Sequence, residues 1–244
     1  MNEHKPDRAH WAAVADQWIA WANTPGHDAF WAYREGFVNY LGAGRGRALE
    51  IGCGEGRISR EARALGYHVT ATDAVAAMVD AASAAQSADA YAVASAGALP
   101  FADGEFDLVI AYNVLMDVDD LPAALKEARR MLKPGGTLFI SIVHPFHDRG
   151  RFADPSADAP FVVEGTYYGR EHFDAQESRN GLSMHFAGWS LPLEDYMAAL
   201  EAAGLAIVSL REPRPDAAGA GPLRQWSRMP MFLWLKARAL PSGG

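Results

Sequence analysis

The clearest chemical signal in the sequence is the segment Ala48-Leu49-Glu50-Ile51-Gly52-Cys53-Gly54-Glu55-Gly56, called the glycine loop below. Three glycines at alternate positions let a backbone approach a ligand closely, and free amide groups at the start of a following helix bind polar or anionic groups. A tight turn without a ligand is the weaker alternative. A dinucleotide-binding loop, Gly-x-Gly-x-x-Gly, would need glycine where this chain has Arg57.

The glycine loop needs a strand before it and a helix after it, and the sequence predicts both. Two helical stretches over 8–41, divided at Asn23-Thr24-Pro25-Gly26, come first. Strands then alternate with helices, which indicates a parallel sheet with right-handed crossovers. We therefore expect an α/β fold with a doubly wound, mostly parallel, seven-stranded sheet. The predicted strands are 47–51, 68–72, 90–94, 106–112, 137–143, 205–211 and 231–237.

Residues 145–188 interrupt this alternation and are rich in Pro, Gly, His and aromatic residues. A stretch of this length is short for an independent core, so we predict an inserted lid in a single domain over 1–244. An aromatic dimer interface is the alternative. The other predicted parts are a helical cover (8–41), a ligand-binding core (42–144) and the C-terminal part of the sheet (189–240).

Composition restricts the classes of partner. The chain has 22 basic and 30 acidic residues and a net charge of −8, which disfavours nucleic acid. The single cysteine, Cys53, excludes an internal disulfide, and His144, His147 and Asp148 lack a helical metal-ligand spacing, so no metal is expected. Without a signal peptide or a long apolar run, we expect a cytoplasmic protein with no membrane partner, either monomer or homodimer.

Four stretches, taken together, resemble the class I S-adenosylmethionine-dependent methyltransferases that act on small molecules. The first is the glycine loop, and the second is Asp73, which stands where the family has its ribose-binding acid. The third runs from Ala96-Gly97-Ala98-Leu99-Pro100-Phe101 into Asp103-Gly104-x-Phe106-Asp107. The fourth is the turn Leu132-Lys133-Pro134-Gly135-Gly136. The matches lie in the family's order between residues 47 and 144.

The resemblance implies a Rossmann-like fold and S-adenosylmethionine as cofactor. Where the family often has an acid that accepts from the adenine amino group, this chain has Ser95. Either its hydroxyl takes that role, or the backbone near Ala96 and Gly97 does. Asn113 is either a cofactor ligand or a strand-end cap. The implied cofactor-binding residues are Glu50, Gly52, Cys53, Gly54, Gly56, Asp73, Ala74, Met78, Ser95, Ala96, Gly97, Asn113 and Val114.

A sulfonium is an activated methyl donor, so the protein must align the acceptor and exclude water. A neutral hydroxyl or ammonium acceptor also needs a base. His144, at the end of the fifth predicted strand, is the first candidate base and His185 the second, although His144 is equally a structural strand terminus. We predict that five aromatic residues contact the acceptor, with plain packing as the alternative. They are Tyr33, Tyr112, Tyr167, Tyr168 and Trp189.

The sequence therefore favours methyl transfer to an O, N or C atom of a small organic molecule. A tRNA-modifying methyltransferase shares this core, but the charge of −8 opposes it. A catalytically inactive, cofactor-binding accessory protein is the third reading. Turnover to S-adenosylhomocysteine separates that protein from an enzyme, because both would bind the cofactor.

Overall fold

The computed structural model describes residues 7–216 and 220–240, and its centre is a seven-stranded sheet. Its strands are β1 (Arg47–Ile51), β2 (His68–Asp73), β3 (Ala90–Val93), β4 (Phe106–Tyr112), β5 (Leu132–Val143), β10 (Leu205–Arg211) and β11 (Phe232–Ala239). The spatial order is β10-β11-β5-β4-β1-β2-β3, with β11 antiparallel to both of its neighbours. This confirms the predicted doubly wound, mostly parallel architecture.

Helices cover both faces of the sheet, because successive strand residues point to opposite sides. The helices are α1 (Asp7–Ala13), α2 (Ala15–Ala22), α3 (Phe30–Leu41), α4 (Arg57–Ala64), α5 (Ala76–Ala84), α6 (Leu121–Met131), α7 (Leu193–Ala202) and α8 (Ala220–Leu223). On one face Ile51 and Ile140 pack under α6 and α7. On the other face Ile110 and Phe139 pack under α3 and α4.

Two boundaries differ from the sequence prediction. The first predicted helix is divided at Val14, whose φ of −110° and ψ of 11° separate α1 from α2. The fifth strand begins at Leu132 rather than at residue 137, directly after α6. The register jumps between the pairs Phe106–Leu132 and Leu108–Thr137, so residues 133–136 bulge out of the ladder.

The segment between β5 and α7 forms two small antiparallel sheets. A 3-10 turn (His147–Arg149) leads into β6 (Gly150–Phe152), which pairs with β7 (Phe161–Val163). A long hairpin follows, made of β8 (Glu171–Arg179) and β9 (Leu182–Ser190). This hairpin packs against α1 and α2, not against the main sheet.

Candidate functional site

A cavity opens at the carboxyl ends of β1, β2 and β4, the edge at which open parallel sheets bind ligands. The strands, the glycine loop and the segment after β4 form its walls. Most of the predicted cofactor-binding residues lie on these walls. They are Glu50, Gly52, Cys53, Gly54, Asp73, Ala74, Met78, Ser95, Ala96, Gly97, Asn113 and Val114.

The glycine loop folds as its composition requires. Gly52 (φ 71°), Gly54 (φ 53°) and Gly56 (φ 91°) all occupy the left-handed region that favours glycine. A Cβ atom at Gly52 would stand 2.3 Å from Cγ2 of Val114. Gly56 lies behind the wall, since a Cβ there would stand 2.4 Å from the Cβ of Ser87. Gly56 thus packs closely against Ser87 at the start of α4, and its contact with the cofactor stays a prediction.

Asp73 ends β2 and holds the glycine loop in place. Its Oδ2 accepts the backbone N–H of Gly54 and its Oδ1 accepts that of Val75, both at 2.9 Å. Burial raises the pKa of this carboxyl, and the backbone hydrogen bonds oppose that rise. Asp73 also lines the cavity, and each carboxylate oxygen can accept more than one hydrogen bond.

Glu50 lies beneath the glycine loop and is 1% exposed. The Ser59 hydroxyl donates a hydrogen bond to its Oε2, while Thr72 donates to its backbone carbonyl at 2.7 Å. Burial raises the pKa of Glu50 to about 8, although the Ser59 hydrogen bond lowers it. Burial likewise raises the pKa of the Cys53 thiol, which therefore stays protonated.

The segments after β3 and β4 complete the cavity. Ser95 and Gly97 stand on opposite sides of a turn in which the Gly97 N–H points to the Ser95 hydroxyl at 3.4 Å. Asn113 has a positive φ of 50°, a conformation that asparagine tolerates. Its Oδ1 accepts a hydrogen bond from the Ser141 hydroxyl at 2.6 Å. The Asn113 side chain thus bonds to β5, as the strand-end alternative expected, and the residue also lines the cavity.

The N-terminal helices form the cover over the cavity. Arg8, Trp11 and Trp18 contribute to its wall. Trp18 lies so close to the glycine loop that its Nε1 would stand 2.8 Å from a Cβ at Gly54. Arg57 lies below Trp18, with its guanidinium 5.0 Å from the Trp18 ring centroid. Sequence reasoning used Arg57 only to exclude a dinucleotide loop and so missed it as a wall residue.

The two predicted bases stand outside the cavity wall. His144 is 5% exposed; its Nδ1 accepts the Phe146 N–H at 3.2 Å, and its Nε2 lies 3.3 Å from Oε1 of Glu212. Burial lowers the pKa of His144, and the negative charge of Glu212 partly offsets this by raising it. His185 lies on β9 and joins the hairpin to α1, because its backbone carbonyl accepts a hydrogen bond from His10 Nε2 at 2.9 Å. Their catalytic assignment stays a prediction.

The predicted substrate-binding aromatics separate into different regions. Tyr112 lines the cavity. Tyr33 is fully buried against Phe232, with 4.9 Å between the ring centroids. The Tyr167 hydroxyl accepts the Leu193 N–H at 3.0 Å, and Tyr168 is 71% exposed. Of these four tyrosines, Tyr112 is the one on the cavity wall, and their contact with the acceptor stays a prediction.

Trp189 lines a second groove, between α6 and α7, that shares Val118, Asp119 and Asp120 with the cavity. The Arg170 guanidinium lies 3.7 Å above its ring centroid, a cation–π contact. Gly188 is a point of close packing beside this groove, since a Cβ there would stand 2.5 Å from Asp117 Oδ1.

Residues 7–216 and 220–240 contain neither a metal-binding cluster nor a membrane-spanning helix. No group of three or more His, Cys, Asp or Glu side chains is arranged to hold a metal ion. None of the helices in this part of the chain combines the length and apolar character that a membrane crossing demands.

The sequence is similar to those of known methyltransferases. The family described as "Methyltransferase domain" matches residues 49–140. A malonyl-[acyl-carrier protein] O-methyltransferase of Enterobacter lignolyticus is 35% identical over 69% of this chain and 67% of that enzyme. A ubiquinone biosynthesis O-methyltransferase of Xanthomonas oryzae pv. oryzae is 30% identical over 69% and 70%. With an Erwinia pyrifoliae malonyl-[acyl-carrier protein] O-methyltransferase the identity is 42%, but the match spans only 36% of that enzyme.

Solved structures of methyltransferases share the fold. An S-adenosylmethionine-dependent methyltransferase from Mesorhizobium loti superimposes with a TM-score of 0.66 at 23% identity, covering 86% of this chain and 98% of the other. The glycopeptide N-methyltransferase MtfA in complex with S-adenosylmethionine gives a TM-score of 0.61 at 17% identity, over 86% and 93% of the two chains. At these identities the likeness concerns the fold alone.

Proposed function

Because the chain belongs to the class I S-adenosylmethionine-dependent methyltransferases, we propose that it transfers a methyl group to an O, N or C atom of a small organic molecule. The observation that carries this proposal is the cavity at the carboxyl edge of the sheet, where the glycine loop and Asp73 face the same space.

The cavity wall fits the cofactor. Gly52 and Gly54 bring bare backbone to the cavity, at positions where a side chain would collide with Val114 or Trp18. The Asp73 carboxylate suits the two ribose hydroxyls, since a charged acceptor binds hydroxyl donors well. Glu50 is a second acid on the wall, and the positive charges of a bound sulfonium and ammonium group would favour its ionised form.

Bound S-adenosylmethionine supplies a methyl group that is already activated by its sulfonium. The chain's own task is therefore to orient the acceptor and to exclude water. Trp11 and Trp18 supply apolar surface on the cover, and the segment from Asn113 to Asp120 joins the cavity to the groove between α6 and α7. The Enterobacter lignolyticus and Xanthomonas oryzae relatives, each matched over two thirds of its length, are O-methyltransferases, so oxygen acceptors are the first to test.

The decisive experiment has two stages. Calorimetry should show binding of S-adenosylmethionine and no comparable binding of NADH. The protein is then incubated with S-adenosylmethionine and fractions of a small-molecule extract, with bulk tRNA as a separate arm, and S-adenosylhomocysteine is quantified. We expect turnover with a small-molecule fraction. Cofactor binding without any turnover would favour an accessory protein, and turnover with tRNA alone would favour an RNA modifier.

A further inference from the structure

Arg57, the first residue of α4, lies between the glycine loop and the N-terminal helices. Its backbone N–H donates at 2.7 Å to Oε2 of Glu55, a residue of the glycine loop. Its side chain lines the cavity. The backbone of Arg57 is therefore fixed to the glycine loop, and its side chain extends from there along the wall of the cavity.

The Arg57 guanidinium contacts three residues of the N-terminal part of the chain. Its Nη1 donates to Asp28 Oδ2 at 2.6 Å. Its centre lies 5.0 Å from the ring centroid of Trp18 and 4.5 Å from that of Phe30, both cation–π contacts. Trp18 lies on α2, Phe30 begins α3, and Asp28 stands between the two helices. One side chain therefore connects the start of α4 to two N-terminal helices.

These contacts are sheltered from water. The side chains of Arg57 and Asp28 are 12% and 13% exposed. A second ion pair between α3 and α4, Arg34 with Glu61, has the same distance of 2.6 Å, but its arginine side chain is 49% exposed. Because water screens exposed charges and sheltered cation–π contacts are stronger, the Arg57 contacts should hold the helices more firmly than the Arg34 pair does.

Trp18 is the residue through which Arg57 reaches the ligand space. Trp18 lines the cavity, and its Nε1 lies so near the glycine loop that a Cβ at Gly54 would stand 2.8 Å from it. It also meets Trp11, the other tryptophan on this wall, edge to face at 5.7 Å. A displacement of Trp18 would therefore open the cavity above the Gly54 backbone.

We infer that Arg57 is a positioning residue that holds Trp18 over the cavity and thereby slows release of the cofactor. Arg57 acts through Trp18, and the contacts of the cofactor with the glycine loop and Asp73 do not depend on it. A ligand beneath a cover dissociates more slowly when the cover is held in place. The inference concerns cofactor retention alone, so it is independent of the identity of the acceptor.

The test measures association and dissociation rates of S-adenosylhomocysteine on the immobilised full-length chain by surface plasmon resonance. In Arg57→Met, which keeps the length of the side chain without its charge, dissociation should be at least about tenfold faster. The association rate should not fall, because a loosened cover does not obstruct entry. An unchanged dissociation rate, or slower association as the sole effect, would overturn the inference.

Two further variants guard against a general loss of structure. Arg57→Lys keeps a charge for Asp28 but lacks the planar group that lies against the rings, so its dissociation should still be about threefold faster than that of the unaltered chain. Arg34→Met is the matched control: it breaks an α3–α4 ion pair off the cavity wall and should leave both rates unchanged. Equal acceleration in Arg34→Met, or a fully normal Arg57→Lys, would contradict the assigned role.

A double substitution tests whether Arg57 acts through Trp18. Trp18→Leu alone should speed dissociation, and adding Arg57→Met to it should change the rate by less than about twofold, since the residue that Arg57 positions is already gone. Effects that multiply would show that the two residues act independently and would refute the inference. None of these measurements uses turnover, so failure of the proposed methyl transfer and failure of this inference are observed separately.

Discussion

At the scale of single residues, Asp73 connects cofactor recognition to the shape of the glycine loop. Asp73→Ala removes both the acceptor for the ribose and the acceptor for the Gly54 N–H. We expect S-adenosylmethionine to bind about ten- to a hundredfold more weakly, a loss of roughly 1.5–3 kcal/mol measured by calorimetry. Asp89→Ala is the control, since Asp89 also accepts a backbone N–H, that of Val69, at a site off the cavity wall. Equal affinity in Asp73→Ala would place the ribose elsewhere.

Substitution of Gly52 tests whether cofactor binding requires the backbone of the glycine loop to approach the cofactor closely. Gly52→Ala adds a methyl group that would stand 2.3 Å from Val114, at a φ of 71°. Cofactor binding should fall below detection. Gly135→Ala imposes a similar backbone cost at a φ of 80° but has no atom within 4 Å of its Cβ, so that variant should bind normally. If both variants bound equally well, close approach at Gly52 would play no part in recognition.

Because Glu50 is buried and has a raised pKa, it makes the free energy of unfolding decrease with rising pH. Its pKa is about 8 in the folded protein and ordinary in the unfolded chain, so between pH 5 and 8 the folded state holds a proton that the unfolded state has released. The free energy of unfolding should therefore fall as pH rises through this window and level off above pH 8. Urea melts at pH 5.5, 6.5 and 7.5 measure the slope.

The matched variant for this measurement is Glu50→Gln, which stays neutral at every pH. Its slope should be shallower but not zero, because burial raises the pKa of Asp73 and of Glu55 in the same direction. Identical slopes in the two proteins would show that Glu50 is ionised in the folded state.

At the scale of elements, Arg149 organises the inserted segment. Its side chain is buried, donates to Glu171 and to the carbonyls of Gly169 and Ser190, and so ties the loop before β8 to the end of β9. Arg149→Met should lower the free energy of unfolding by about 2 kcal/mol or more and speed amide exchange over residues 164–171.

A neighbouring arginine supplies the control for that change. Arg151 pairs with Glu164, but both side chains are more than half exposed, so Arg151→Met should cost less than about 1 kcal/mol. Equal effects from the two substitutions would show that burial of Arg149 contributes nothing to the segment.

The elements also show where sequence reasoning reaches its limit. The strands β1 to β4 were predictable within a residue. For β1, β2 and β4 the reason is a short, mostly buried run that stops at a glycine or polar residue, namely Gly52, Asp73 and Asn113. The hairpin β8–β9 was not, since Glu171–Arg179 is almost wholly polar and exposed and so has no alternation. The turn Asn180-Gly181, with both φ angles positive, was the available signal for a hairpin.

The same limit applies to the candidate site. The glycine loop and Asp73 were predictable because their roles depend on local backbone geometry at fixed spacing. The contact of Phe30 with Tyr112 joins α3 to β4, which lie far apart in the sequence, so no local pattern indicates it.

At the scale of the whole molecule, the cover consists of α1 and α2, held from outside by the β8–β9 hairpin through contacts such as Trp21 with Phe186. A ligand beneath such a cover should restrain it. S-adenosylhomocysteine should slow amide exchange in α1 and α2, measured by mass spectrometry, and leave α7 unchanged as the internal control. Bound ligand with unchanged exchange in both helices would show that the cover does not close over it.

The position of β11 has a consequence for how this protein is made. This strand lies inside the sheet, between β5 and β10, yet it begins 89 residues after β5 ends. At ribosomal rates of about 5–20 residues per second, roughly 4–18 s separate the emergence of the two strands. During that interval the nascent chain carries the glycine loop and β1 to β5, and the edge of β5 that later pairs with β11 is open. Cofactor or a ribosome-bound chaperone therefore meets this protein first with its sheet unfinished.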